Sequence, residues 1–436
     1  MWRSLYTAIL YAALPLVLLK LWWRGRREPG YRRHVAERFG EYKFAPERAV
    51  LWVHAVSVGE ARASAPLVRA LREEFAGHDV LLTCSTAAGR DAVKQMYGES
   101  VLTAWLPYDY PGSVRRFVEH FRPRLGLMME TEIWPNLLAA CRAYPVPVVL
   151  ANARMSESSA NGYARWSGLV QPAFAGLSAV CAQSEADAGR LAALGATNVS
   201  ICGNLKYDVA PDAAQAQAGR TWRIALARPV LLLASTREGE ENLLLNALRG
   251  AILQALVVIV PRHPQRFEDV AALLAREGPH PNAGFSVRRR SRGEPPRPEQ
   301  RFYLGDTMGE MAFYYAAADV AVMGGSFMPL GGQNLIEACA AGTPVVFGPS
   351  MYNFADASRL ALEAGAAVQA RDAADAVRVA LELLEDGRRR ERMGEAGRRL
   401  CMAHRGATQK HLAACKPLLE DRVSKAAVPV RAPAHD

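Results

Sequence analysis

At 436 residues and 50% hydrophobic content the chain is too long for a comfortable single core and suggests two globular domains of near-average size. Its formal charge of +10 favours anionic partners but does not choose between nucleic acid and membrane lipid. Seven cysteines without a CxxC pair read as reduced core thiols, and nine histidines without HExxH or a Cys/His cluster argue against a protein-bound zinc site.

The first element is an apolar run from Leu5 to Trp23, with only Arg3 ahead of it and Arg24, Arg26, Arg27, Arg32 and Arg33 behind it. That asymmetry places the body of the protein in the cytoplasm. Lys20 must snorkel if the run is to approach the roughly 20 apolar residues of a full crossing. No small-x-small cleavage site precedes Trp22 and Trp23, so a retained anchor is expected over residues 1–30, single-pass or interfacial.

A domain over 31–207 follows. Strands are expected at Leu51 to Val56, Val80 to Thr83, Leu102 to Leu106, Leu125 to Met129, Pro147 to Ala151, Ala179 to Ala182 and Val199 to Cys202. Helical patterns alternate with them, the rhythm of a doubly wound α/β unit. Its opening is the most informative stretch: the strand Leu51 to Val56 runs through Ser57-Val58-Gly59 into Glu60 at the start of a helix. In parallel sheets, ligands gather outside the carboxyl ends of strands. Glu60 has two readings, a general base or an acid that complements the positive end of the helix dipole.

Glu130-Thr131-Glu132 again ends a buried strand in acids, with Pro135 suited to the first turn of the next helix. A metal-binding pair would need a third ligand, and none is in view; capping and a supporting role for Glu130 are the better readings. After Lys206 an Ala/Asp/Gln-rich stretch, Asp208 to Arg220, partly helical, marks an interdomain linker over 208–225.

The second domain, 226–424, repeats the pattern with strands at Val230 to Ala234, Ala255 to Val260, Phe302 to Leu304, Val320 to Met323 and Pro344 to Phe347. Helices are expected at Glu240 to Leu248 and Phe267 to Arg276. Two similar α/β halves imply a cleft between them. Arg262, just past a strand in Pro261-Arg262-His263-Pro264, can fork onto phosphate or carboxylate oxygens, or is a surface arginine in a rigid turn; His263 reads as structural. The basic segment Arg288 to Arg301 reads as a solvated surface loop.

Gly331-Gly332-Gln333-Asn334 leads into a helix expected to begin near Asn334, whose unpaired N–H groups suit a nucleotide phosphate. Glu337, one turn on, could accept from a ribose, or the whole could be ordinary capping. Neither GxGxxG nor GxxxxGK[ST] occurs in these loops, against dehydrogenase and P-loop readings. Arg388 to Lys416 reads as a charged terminal helix able to pack back over the first domain, and 425–436 as a frayed tail.

Taken together, Val58-Gly59-Glu60, Met129 to Asn136, Ala151-Asn152-Ala153-Arg154, Gly203 to Asp208, Pro261 to Pro264, Gly305 to Glu310 and Gly331 to Glu337 resemble, in order and over nearly the whole chain, the 3-deoxy-D-manno-octulosonic acid (Kdo) transferases of lipid A biosynthesis. The resemblance implies a GT-B fold, two Rossmann-like domains facing across a cleft behind an N-terminal anchor. It implies metal-independent, inverting transfer from CMP-Kdo to a lipid A precursor at the cytoplasmic face of the inner membrane, with no cofactor and no nucleic acid as partner. Carried over residue by residue, Glu60 is the proton acceptor, while Glu130 and Lys206 stabilise the transition state. Pro261 with Arg262, Met308, Gly309 and Glu310, and Asn334, Leu335, Ile336 and Glu337 hold CMP. Arg237 and Gln333 depart from the family pattern, where histidines are usual; both can still donate hydrogen bonds.

Three rival readings remain at this level. Another membrane-associated GT-B enzyme could use a different nucleotide sugar, since fold and phosphate loops do not fix the donor. A membrane-tethered nucleotide-binding or scaffold protein would have no need of an acid facing the cleft. A nucleic-acid binder is the weakest, because the basic residues are dispersed without an aromatic platform.

Overall fold

A computed structural model describes residues 1–251, 254–276 and 287–426, with side chains as far as Glu420. The tail expected over 425–436 lies outside the described residues from 427 onward. The described chain forms two compact units, the first comprising residues 1–209 and 405–426, the second Ala210–His404.

In the first unit seven parallel strands occur in the spatial order β3-β2-β1-β4-β5-β6-β7. They are β1 Ala49–His54, β2 His78–Cys84, β3 Leu102–Trp105, β4 Leu125–Met129, β5 Val148–Ala153, β6 Ala179–Ala182 and β7 Val199–Ile201. The order reverses between β1 and β4, so the loops after these two strands part at the switch point where such sheets take ligands. Helices cover both faces, which is why the strands read as continuous apolar runs rather than alternating ones. Trp52, Phe117, Phe121 and Phe174 fill one face, and Leu51, Val53, Leu67 and Leu71 the other. Gly126 on β4 is required by that packing: a Cβ there would stand 2.6 Å from the Trp52 ring.

The second unit holds six parallel strands in the order β10-β9-β8-β11-β12-β13. They are β8 Val230–Thr236, β9 Leu256–Pro261, β10 Phe302–Leu304, β11 Val320–Met323, β12 Val345–Phe347 and β13 Ala367–Gln369. Its switch point lies between β8 and β11. The expected strands and the helices Glu240–Leu248 and Phe267–Arg276 are present; β13 is an addition, three residues in an alanine-rich stretch too short to carry a periodic signal.

One segment differs from its expected role, and another packs back over the first unit as expected but is divided in two. Helix Ala213–Leu226 occupies the stretch read as a linker, yet it belongs to the second unit and seats Trp222 5.6 Å from both Tyr303 and Phe313. The terminal helix divides in two, Gly387–Ala403 and Ala407–Ala426, around Gly406 at φ +100°, a left-handed geometry glycine adopts without strain. The first piece stays with the second unit and the last returns to the first, burying Leu412, Cys415 and Leu419 in its core.

Side chains from the middle of the chain hold that last helix. Asp208 accepts from the N–H groups of Gly406 at 2.8 Å and Thr408 at 2.6 Å, capping the helix start from outside. His411 Nε2 accepts the Asn152 N–H at 2.8 Å, so its Nδ1 carries the proton it gives to the Ala407 carbonyl at 2.7 Å.

Candidate active site

Glu60 stands in the first turn of helix Val58–Glu74, behind the N-cap Ser57. Ser57 Oγ accepts the Glu60 N–H at 3.4 Å and donates to Glu60 Oε1 at 3.0 Å, while the Val56 N–H donates to Oε2 at 2.9 Å. This is a close relative of the capping box, in which an N-cap hydroxyl and an acid three residues on satisfy one another. The capping reading of Glu60 therefore holds locally. It also holds the carboxylate in place, because each oxygen has its own donor, Ser57 for Oε1 and Val56 for Oε2.

Electrostatics distinguish this acid from an ordinary cap. Burial pushes the Glu60 carboxyl up to about 7, the charge of Glu130 and to a smaller degree Glu132 adds to the rise, and the Val56 amide and Ser57 hydroxyl oppose it. A carboxyl poised near neutrality is what proton transfer near pH 7 needs.

Glu130 follows β4 in a left-handed backbone conformation, φ +59°, costly for a residue with a Cβ. Its N–H is tied to the Ala151 carbonyl at 2.9 Å, and Oε1 accepts from Lys206 Nζ at 2.8 Å. Burial alone would raise Glu130, but the Lys206 charge and hydrogen bond, helped by Arg154, bring it below the usual carboxylate range. Glu132, by contrast, is raised, chiefly by burial. Lys206 is held by its own turn: Asn204 Oδ1 accepts its N–H at 3.0 Å, and Asn152 Oδ1 accepts the Leu205 N–H at 2.9 Å. The structure thus places Glu60, Glu130 and Lys206 at one edge of the first sheet, beside its switch point.

In the second unit Pro261 ends β9 and Arg262 follows it. Arg262 Nε donates to Gln333 Oε1 at 3.2 Å, so the departure at Gln333 supplies an acceptor to the guanidinium. Loss of solvent, then the charges of Arg237, Arg262 and Arg266, hold the His263 imidazole below its ordinary value. The loops after β8 and β9 are accordingly strongly cationic, although Arg266 is neutralised by Glu241 at 2.8 Å.

Glu240, which the sequence reading used only as a helix start, ties the second switch point together. Fully buried, it accepts N–H groups from Arg237 at 2.9 Å, Gly325 at 2.6 Å and Phe327 at 3.0 Å, bridging the loops after β8 and β11. Met308 is exposed and Gly309 adopts φ +83°. Glu310 is clasped by Arg290, Nη2 to Oε1 at 2.8 Å and Nε to Oε2 at 3.2 Å, which with Thr307 holds its carboxyl low against burial. Arg290, read as part of a solvated charge run, is therefore a fixed partner; its guanidinium also stacks 3.9 Å from the Phe313 ring.

The helix expected near Asn334 begins at Ile336 and runs only to Ala341. Asn334 Oδ1 accepts the Ile336 N–H at 3.2 Å, and its amide donates to Glu337 Oε1 at 2.9 Å, so one N–H that a phosphate was expected to meet is already satisfied. The short helix is a local capping structure, with Leu335 and Ile336 buried at its start. Among the described residues no group of three or more His, Cys, Asp or Glu side chains is placed to hold a metal ion.

Chains built of two doubly wound units also occur among solved structures at low sequence identity. A glycosyltransferase from Rickettsia africae matches with TM-score 0.57 at 12% identity, covering 86% of this chain and 99% of the other. MnaA of S. aureus in complex with UDP matches with TM-score 0.58 at 14% identity, covering 85% and 97%. These likenesses establish the fold alone.

Sequence comparison goes further. The family model for 3-deoxy-D-manno-octulosonic-acid transferase (kdotransferase) matches residues 33–209, and that for glycosyl transferases group 1 matches 286–400. The 3-deoxy-D-manno-octulosonic acid transferase of Bordetella pertussis is 48% identical, covering 96% of this chain and 100% of the relative. That of Haemophilus influenzae is 37% identical, covering 97% and 100%. The protein is a glycosyltransferase of the two-domain GT-B class. Within that class, the chain belongs to the Kdo transferase family, which places its reaction in lipopolysaccharide biosynthesis.

Proposed function

We propose that the protein moves Kdo from CMP-Kdo to a lipid A precursor, by single displacement with inversion and without a metal ion. The observation that carries this reading is the contrast between two neighbouring acids, Glu60 raised to about 7 and Glu130 held ionised by Lys206. Such a divergence of environment is how one site assigns different roles to like groups.

In the proposed step a sugar hydroxyl of the acceptor attacks the anomeric carbon of Kdo. Its proton passes to Glu60, and the bond to the CMP phosphate breaks with the electron pair leaving on phosphate oxygen. Lys206, positioned through Glu130, and Arg262 stabilise the developing charge. Pro261 and Arg262, Met308 to Glu310 and Asn334 to Glu337 hold the cytidylate, with Arg237 and Gln333 standing where the family usually has histidine. A positioned base typically contributes about 10²- to 10⁴-fold, and preorganised cations supply the rest.

The acceptor is a glycolipid, and the apolar helix Trp2–Arg27 suits a membrane-bound enzyme: by length and composition it could cross a bilayer. Leu5, Ile9, Leu16 and Leu19 are exposed along it, and arginines gather at its end. On this reading the protein works at the cytoplasmic face of the inner membrane. Incubation with CMP-Kdo and tetra-acylated lipid A precursor should add Kdo mass to the lipid. Tighter binding of UDP than of CMP, with no mass gain, would overturn the donor assignment.

A further inference from the structure

The apolar N-terminal helix is fastened to the rest of the first unit by hydroxyl groups as well as by apolar contact. Tyr6 Oη donates to Asp109 Oδ2 at 3.0 Å, and Asn136 Nδ2 donates to Thr7 Oγ1 at 3.0 Å. Trp2, one turn before Tyr6, meets Trp166 edge to face at 6.4 Å, and Tyr110 Oη donates to the Leu10 carbonyl at 3.2 Å. Spacings of four residues set these groups on one flank of the helix. Leu5 and Ile9 are half exposed.

Asp109, only 3% exposed, is the centre of this contact. Its carboxylate accepts the N–H of Asn136 at 3.0 Å and of Leu137 at 2.7 Å, two of the orphan donors at the start of helix Pro135–Ala143. Asn136 Nδ2 also donates to the Asp109 carbonyl at 2.7 Å. The helix so capped is joined to β4 only by residues 130–134, the segment that carries Glu130 and Glu132. Asp109 therefore fixes the far end of that segment, and Tyr6 is the third donor on the same carboxylate.

We propose that Asp109 is a positioning residue that couples the seat of the apolar N-terminal helix to the loop bearing Glu130. A helix pressed onto the unit keeps Tyr6 and Thr7 bonded, the cap closed and the loop in place; a helix drawn away leaves a buried carboxylate and amide short of partners. The catalytic consequence rests on the role assigned to Glu130 above, whereas the mechanical link does not.

The test uses the full-length chain in detergent micelles with the double variant Tyr6→Phe, Thr7→Val, which keeps the apolar surface and removes both hydroxyls. Hydrogen exchange across residues 130–137 should accelerate about tenfold while β2 stays protected, the equivalent of one lost hydrogen bond to a charged group. With CMP-Kdo and lipid acceptor, kcat should fall about as much while KM for the donor is unchanged. Wild-type exchange at 130–137, or faster exchange with an unaltered kcat, overturns the proposal. If the double variant loosens globally, Tyr6→Phe alone is read by the same criteria. Were the wild-type chain to transfer no Kdo, the functional reading would fail, and the exchange result would still decide the link.

Discussion

Lys206 Nζ lies 2.8 Å from Glu130 Oε1, a pair joined across 76 positions of sequence, and this contact keeps ionised the carboxylate whose charge helps to raise Glu60. The lysine thereby acts on Glu60 at one remove. Removing it would leave a mostly buried acid without its principal cation, and such an acid takes up a proton rather than stay charged.

Glu60→Gln should keep the fold and CMP binding while transfer falls by about 10²- to 10⁴-fold. The amide can still meet Ser57 and Val56 but accepts no proton. Single-turnover transfer to the lipid, beside a CMP titration, checks both halves; turnover near the wild-type rate removes Glu60 from the mechanism.

The pH profile follows from the same acid. A base must be unprotonated, so kcat/KM should rise with pH and level off above about 7. Glu130→Gln removes the neighbouring charge that raises Glu60, and should move this limb to lower pH as well as slow the plateau. A limb that stays in place in Glu130→Gln would show that burial alone sets the value.

Stability carries the opposite sign. The raised carboxyl of Glu60 binds its proton more tightly folded than unfolded, so its stabilising contribution is complete below the ordinary glutamate value and is lost as pH rises through about 7. Glu60→Gln should therefore gain about 1–2 kcal/mol at pH 8 relative to pH 5, allowing for partial exposure. Urea unfolding at the two pH values measures it.

His54 and His411, both held down to about 4 by burial, make the first unit sensitive to acid. For a depressed histidine the folded state stays neutral while the unfolded chain gains a proton, so stability is full above about 6.5 and declines as pH falls toward 4. His411→Leu should flatten that decline. It should also cost about 1–3 kcal/mol at pH 7, because the buried Asn152 N–H loses its acceptor. Thermal melts of the variant across this range test both effects.

Gln333→Ala removes the acceptor that orients the Arg262 guanidinium. The expected result is weaker CMP binding, by about five- to tenfold, with the pH limb of Glu60 unmoved. Calorimetric titration with CMP gives the first number and the rate profile the second.

Much of this protein was legible along the chain, because βαβ repeats write themselves as apolar runs separated by helical patterns, and parallel strands deliver every strand-end residue to one edge of a sheet. Glu60, Glu130 and Arg262 could be singled out on that ground. The sequence pattern by itself determined the two α/β units, the apolar helix and every strand but β13, whose three residues are too few to carry a periodic signal. Tertiary structure alone decided which side chains, Asp208 and His411, fasten the returning last helix, that Arg290 clasps Glu310, and that Asp109 gathers Tyr6 and Asn136. The reason is one of range: periodicity reports which face of an element is apolar, a local property. A buried polar group takes whatever partner the folded chain carries to it, from four residues away for Glu60 and Val56 or from 259 for Asn152 and His411.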